Sequence, residues 1–195
     1  MSYIVANLDK VKGENSFPAY EDVLKDLQDA AIERAKEIWE GYEFGGVYPG
    51  DKQFGICPLR MNEMAHDVSS TTLSGSYSFT RNFAAASAWR NLFDYSTRKD
   101  VLHAFAGFKI TDEILRILQF RFEIGDRLFP IMDVQEAKDW GSFGIVFKVD
   151  KGNELIAEPE TRVLFKCYPD STGYQTVVPL GFELYKRKDL VITET

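Results

Sequence analysis

Apolar residues recur at Tyr20, Leu24, Leu27, Ala31, Ala35, Ile38 and Tyr42, three or four apart, which predicts an amphipathic helix of about six turns. Ile32 and Trp39, seven apart, widen the stripe, so the helix is expected to lie across a sheet face or another helix. Pro18 suits the first turn because it lacks the donor that would be orphaned there, and Glu21 and Asp22 suit the positive end. Ser16 is a candidate cap, and Gly45-Gly46 is the expected stop, giving a helix over 20–44.

Beyond the helix the period changes from helical to alternating. Leu118, Phe120, Phe122 and Ile124 alternate with Gln119, Arg121 and Glu123, which predicts a strand with one apolar and one polar face. Phe143, Ile145, Phe147 and Val149 repeat that pattern; Lys151-Gly152-Asn153 then turns and residues 154–157 return, as a hairpin would. Residues 128–134 read as a strand interrupted by Pro130, and 135–140 as a short helix. Residues 162–168, 174–178, 181–185 and 190–193 read as further short strands. Prolines 130, 159, 169 and 179 are expected at strand ends or edges. Before this run, 47–60 reads as a loop with one short strand, 61–68 as a helical turn, and 71–79 as strand; 82–93 fits a helix or a strand equally well.

Roughly six to eight short strands at about ten-residue spacing predict a sandwich or barrel rather than a parallel sheet with crossover helices. The expected fold is mainly β: a jelly-roll-like sandwich or barrel over about 53–195, preceded by an N-terminal arm (1–19) and one long amphipathic helix. The alternative is an α+β arrangement with the helix packed on an antiparallel sheet. The length of 195 residues suits one domain. No internal repeat or low-complexity stretch is present.

Composition adds aromatic weight, with fifteen Phe and nine Tyr, as in broad packing surfaces. The net charge of -7 is uneven: eight acids face three bases between Glu21 and Glu43, and the remainder is near neutral. Nucleic acid is therefore a less favoured partner than another copy of the chain. Arg81, Arg90, Arg98 and Lys99, interleaved with Phe83, Trp89, Phe93 and Tyr95, are the stretch closest to a nucleic-acid surface. No apolar run reaches the roughly 18 residues that suggest a membrane span. The first residues lack the basic start and apolar stretch of a signal peptide, so a virion or cytoplasmic location is expected.

Candidate chemistry is sparse, and no cofactor is expected. Glu63 and His66 have the spacing that lets two ligands share a helix face, with Asp67 beside them. The simpler reading is a solvated turn, so no metal site is expected, although these three would serve a hydrolase. His103, in the apolar run 101–108, reads as a satisfied core histidine. Cys57 and Cys167 lack metal or disulfide spacing and read as buried hydrophobes, with a long-range pairing left open. Asp126 with Asp133, or Glu123 with Asp126, would suit glycoside hydrolysis only if the fold set each pair at the right separation. The glycines do not match a phosphate-binding loop.

The combined expectation is a non-enzymatic structural protein forming a homo-oligomer, such as a capsid or other virion component. The candidate subunit contacts are Tyr3, Ile4 and Val5 of the arm, Glu33, Glu37 and Glu40 of the acidic helix, and Arg90, Arg98 and Lys99 of basic segments. The rival from another class is a β module for a sugar or other small ligand, with Trp89 and Trp140 as its platform.

Overall fold

In the computed structural model, the described residues are 2–6, 18–45, 52–60, 71–73, 78–111, 114–138, 143–150 and 152–187. Helix α1 spans Pro18–Ile38. Its buried face is Leu27, Ala31 and Ala35, continued by Trp39 just past its end. The two alanines let the helix approach Leu102, Ala104 and Ala106 of the sheet, small against small, with Phe54 and Leu184 completing this layer. The helix stops about six residues earlier than the expected 44, because the chain turns at Gly41, whose φ of +77° suits a residue with no side chain.

The strands are β1 (Ser2–Ala6), β2 (Glu43–Phe44), β3 (Gln53–Pro58), β4 (Thr71–Leu73), β5 (Phe79–Phe83), β6 (Arg90–Ser96), β7 (Val101–Ile110), β8 (Ile117–Ile124), β9 (Arg127–Leu128), β10 (Met132–Asp133), β11 (Phe143–Lys148), β12 (Ile156–Ala157), β13 (Arg162–Pro169) and β14 (Gly173–Lys186). One sheet runs β1-β11-β7-β14-β3-β2 and the other β10-β8-β13-β6. Following the chain from β3, it enters the second sheet at β6, returns at β7, crosses at β8 and β10, returns at β11, crosses at β13 and ends at β14. The rows β11-β7-β14-β3 and β10-β8-β13-β6 are thus interleaved as in a jelly roll, the first of the two expected architectures.

The sandwich interior is aromatic. Phe108 and Phe165 stack across the two sheets at 3.9 Å, and Phe120 stacks on Phe165 at 5.1 Å. Phe122 meets Phe105 edge-on at 4.9 Å and lies 5.8 Å from Phe147. Each such pair adds about 0.5–1.5 kcal/mol beyond simple burial.

Several expectations are resolved or changed in the structure. Residues 82–93 are not helical: β5 ends at Phe83, the chain bends, and β6 begins at Arg90. The segment 135–140 gives a single 3-10 turn at Gln135–Ala137, with 139 and 140 outside the described residues. β12 does not form a hairpin with β11; it pairs with β7, Ile156 opposite Ala104. On β8 the inward position belongs to Ile117 rather than Leu118, because the register with β13 shifts between Tyr168 and Pro169.

The two expected strands over 174–185 are one strand, β14, bulged between Leu180 and Gly181. At Gly181 a β-carbon would lie 2.0 Å from the Ala104 carbonyl oxygen, so only glycine fits. Pro179 sits inside this strand and not at its end. It falls after pairing with β5 stops at Val177 and before pairing with β3 starts at Phe182, where β14 has, among the described residues, a partner strand on one side only. The expected helical turn at 61–68 and strand at 190–193 lie outside the described residues. Among the described residues no helix is long and apolar enough to cross a membrane.

Candidate functional site

Where α1 crosses them, β7 and β14 are covered by the helix outside and by the second sheet inside. A polar residue on the inner face there is buried, and His103 and Glu183 stand opposite each other in this position. They are 1% and 0% exposed. The Tyr95 hydroxyl, from β6 in the facing sheet, lies 2.6 Å from His103 Nδ1. His103 Nε2 lies 3.5 Å from Glu183 Oε2, and the Arg60 guanidinium donates to Glu183 Oε1. Burial and the nearby Glu183 charge push the Tyr95 phenol well above its ordinary value, so it keeps its proton and shares a hydrogen bond with Nδ1. On the other side of the ring, Nε2 and Glu183 Oε2 face each other without a well-formed hydrogen bond.

Burial pulls Glu183 toward the neutral form, but hydrogen bonding and charge from His103 and Arg60 more than offset it, and its carboxyl sits below the usual glutamate value. Arg60, about one-third exposed, is the outer end of this thread and also lies over the Tyr185 ring. Cys57 faces Glu183 from β3. Burial first, and then the Glu183 charge, raise its thiol, which opposes formation of a nucleophilic thiolate. Cys167 is likewise raised by burial, and both cysteines are free, so the open disulfide question is answered: they do not pair. With its histidine and carboxylate sealed from solvent, the thread has the geometry of a structural brace between the sheets.

The candidate subunit contacts are scattered. Tyr3, Ile4 and Val5 lie in β1, paired antiparallel with β11 of the same chain. Tyr3 packs on the core, and its hydroxyl accepts from the Asp133 amide at 3.0 Å. Glu33 pairs with Lys36 at 3.0 Å, and Glu37 with Arg34, which also bonds Glu158 at 2.6 Å. Glu40 is exposed. Arg90 begins β6, whereas Arg98, 3.7 Å from Asp100, and the exposed Lys99 lie beyond its far end. The basic run is thereby split by the length of a strand, roughly 20 Å.

The other candidates divide between the described and undescribed segments. Glu63, His66, Asp67 and Trp140 lie outside the described residues. Trp89 is 38% exposed and meets Tyr168 edge-on at 5.7 Å. Glu123 pairs with Arg121 at 3.0 Å, and Asp133 accepts from the Gln135 amide at 2.9 Å. Among the described residues no group of three His, Cys, Asp or Glu is placed to hold a metal.

What sequence reasoning missed is the character of two of the sheet margins, β1 and β6. Among the described residues, β1 pairs only with β11 and β6 only with β13, so each presents a free edge. β6 carries Arg90 and Asp94, charges that discourage strand addition. β1, Ser-Tyr-Ile-Val-Ala, carries none. The absence of charge from residues 2–6 was a usable signal.

No family model matches the chain, and no curated protein does. Among solved structures, one described as accessory secretory protein 1, 2 and 3 of Streptococcus pneumoniae aligns at 9% identity, covering 67% of this chain and 99% of that chain. Its TM-score is 0.30, and a likeness at that level carries no argument.

Proposed function

We propose that this protein is a non-enzymatic building block of a homo-oligomeric assembly, a coat-like role that extends to a capsid or other virion component. The observation that carries the reading is β1: five uncharged residues at one end of the larger sheet, paired among the described residues on one side only. An unguarded edge offers a row of donors and acceptors to the same strand of another copy, and a two-fold axis makes that pairing antiparallel and closed. The jelly-roll order supports the reading by analogy, since coat proteins are among the proteins built on it. The ionisable thread supports it by being spent on bracing the sheets.

Light scattering coupled to size exclusion, over a wide concentration range, tests this. The intact chain is expected to run as a dimer or larger. Ile4→Pro and Val5→Pro remove backbone donors on opposite sides of β1, because successive amides alternate across a strand. One of the two is expected to keep the fold and lose the higher mass. A monomer at every concentration, or a well-folded pair of variants with unchanged mass, overturns the reading.

A further inference from the structure

The larger sheet contains a fault. β11 and β7 are paired only from Phe143–Val146 against Ile110–Gly107. Below that point they part, and β12 takes the place beside β7, with the Phe105 amide donating to the Leu155 carbonyl at 2.8 Å. A cavity of about 420 Å³ occupies the opening, with α1 on its other side. That size falls within the range of about 300–1,000 Å³ usual for small-molecule sites.

The two walls differ in chemistry. Phe105 and Phe147, members of the aromatic interior, form the floor, and Leu27 and Ala30 of the helix continue the apolar lining. Asp26, Asp29 and Glu33 of α1 and Glu154 beyond β11 also line the cavity, whereas no lysine or arginine among the described residues does. Glu33 has Lys36, and Glu154 accepts from the Gly152 amide at 2.8 Å. Asp26 and Asp29 have no basic partner at ion-pair distance among the described residues.

We infer that this cleft binds a small organic cation with an apolar tail, the tail on Phe105 and Phe147 and the charged head between Asp26 and Asp29. An anionic amphiphile of the same length meets four carboxylates and is rejected; a neutral one gains only the burial of its tail. The inference is argued independently of self-association, since Tyr3 and Val5, the β1 residues with described side chains, do not line the cavity.

Isothermal titration of the full chain with octylamine, octanol and octanoate, each below its micelle concentration, tests it. Octylamine is expected to bind about tenfold more tightly than octanol, a gap reduced by added salt, with octanoate not binding. Asp26→Asn combined with Asp29→Asn, at exposed helix positions, is expected to bring octylamine to the octanol level. Ala30→Trp is expected to block both. Equal signals from the three probes, or octylamine binding unchanged in the folded double asparagine variant, overturn the inference.

Discussion

The sandwich interior has two ends that are held together by different physics. At one, Phe108, Phe120, Phe122 and Phe165 interlock across the sheets with no polar atom among their side chains. At the other, Tyr95, His103, Glu183 and Arg60 span the same space by hydrogen bonds and charge. The aromatic end holds by area and shape, so its contribution is insensitive to pH. The ionic end holds only while each group keeps its partner, because an unpaired buried charge costs more than the pair gains.

The largest break is expected at the aromatic end. Phe165 is fully buried and touches Phe93, Phe108, Phe120 and Phe122. Phe165→Ala is expected to cost about 3–5 kcal/mol, since four rings cannot collapse onto one cavity. Urea unfolding followed by circular dichroism measures this, and a loss below about 1 kcal/mol would show that the interior repacks freely.

A smaller loss, with a distinctive rescue, is expected at the ionic end. Glu183→Gln leaves both His103 and Arg60 facing a neutral amide in place of the carboxylate. The cost is expected to be about 2–3 kcal/mol, below the full value for breaking a buried pair because Arg60 reaches solvent. His103→Leu with Glu183→Leu removes the sealed carboxylate and its polar neighbour together and is expected to recover much of that loss. A double variant no better than the single one would mean that the thread contributes net stability as a unit.

These two ends were unequally legible in the sequence. The alternation at 118–124 and 143–149 located the aromatic end, because each of those strands puts its phenylalanines on one face. Glu183 was hidden by the same rule. In Gly181-Phe182-Glu183-Leu184-Tyr185, alternation assigns Phe182 and Leu184 to the core and Glu183 to solvent. The structure covers both sets, with Leu184 buried and Phe182 half-buried beside α1, and Glu183 buried between the sheets. The clue lay elsewhere: the wide apolar stripe of α1 needs a sheet face to cover, so some strand had to be buried on both sides. The run Val101-Leu102-His103-Ala104-Phe105, nearly free of polar residues, carried the same message. His103 was readable as a core histidine, but its partner depended on register between strands about eighty residues apart, which no local pattern encodes. The partner of β12 was lost for a similar reason, since a turn at 151–153 predicts a local hairpin while Phe105 and Leu155 form the long-range bond.

Acid separates the two ends without mutation. Glu183 has a folded value below the ordinary glutamate value of about 4.3, so its stabilisation is complete above that value and is lost as pH falls through the depressed one. Asp94, held down by its hydrogen bond to Arg162, acts in the same direction on the outer face of the second sheet. The pair is exposed and screened, so Asp94→Asn is expected to cost less than about 1 kcal/mol and to flatten the acid limb only slightly. Glu183→Gln is expected to flatten it more, while Phe165→Ala shifts the whole curve down and leaves its slope unchanged. Unfolding free energies between about pH 3 and 7 check the order, read against the slope of the unmodified chain. Should Asp94→Asn flatten the limb as much as Glu183→Gln, the acid sensitivity belongs to the surface pair, and the ionic end of the interior stays paired throughout that range.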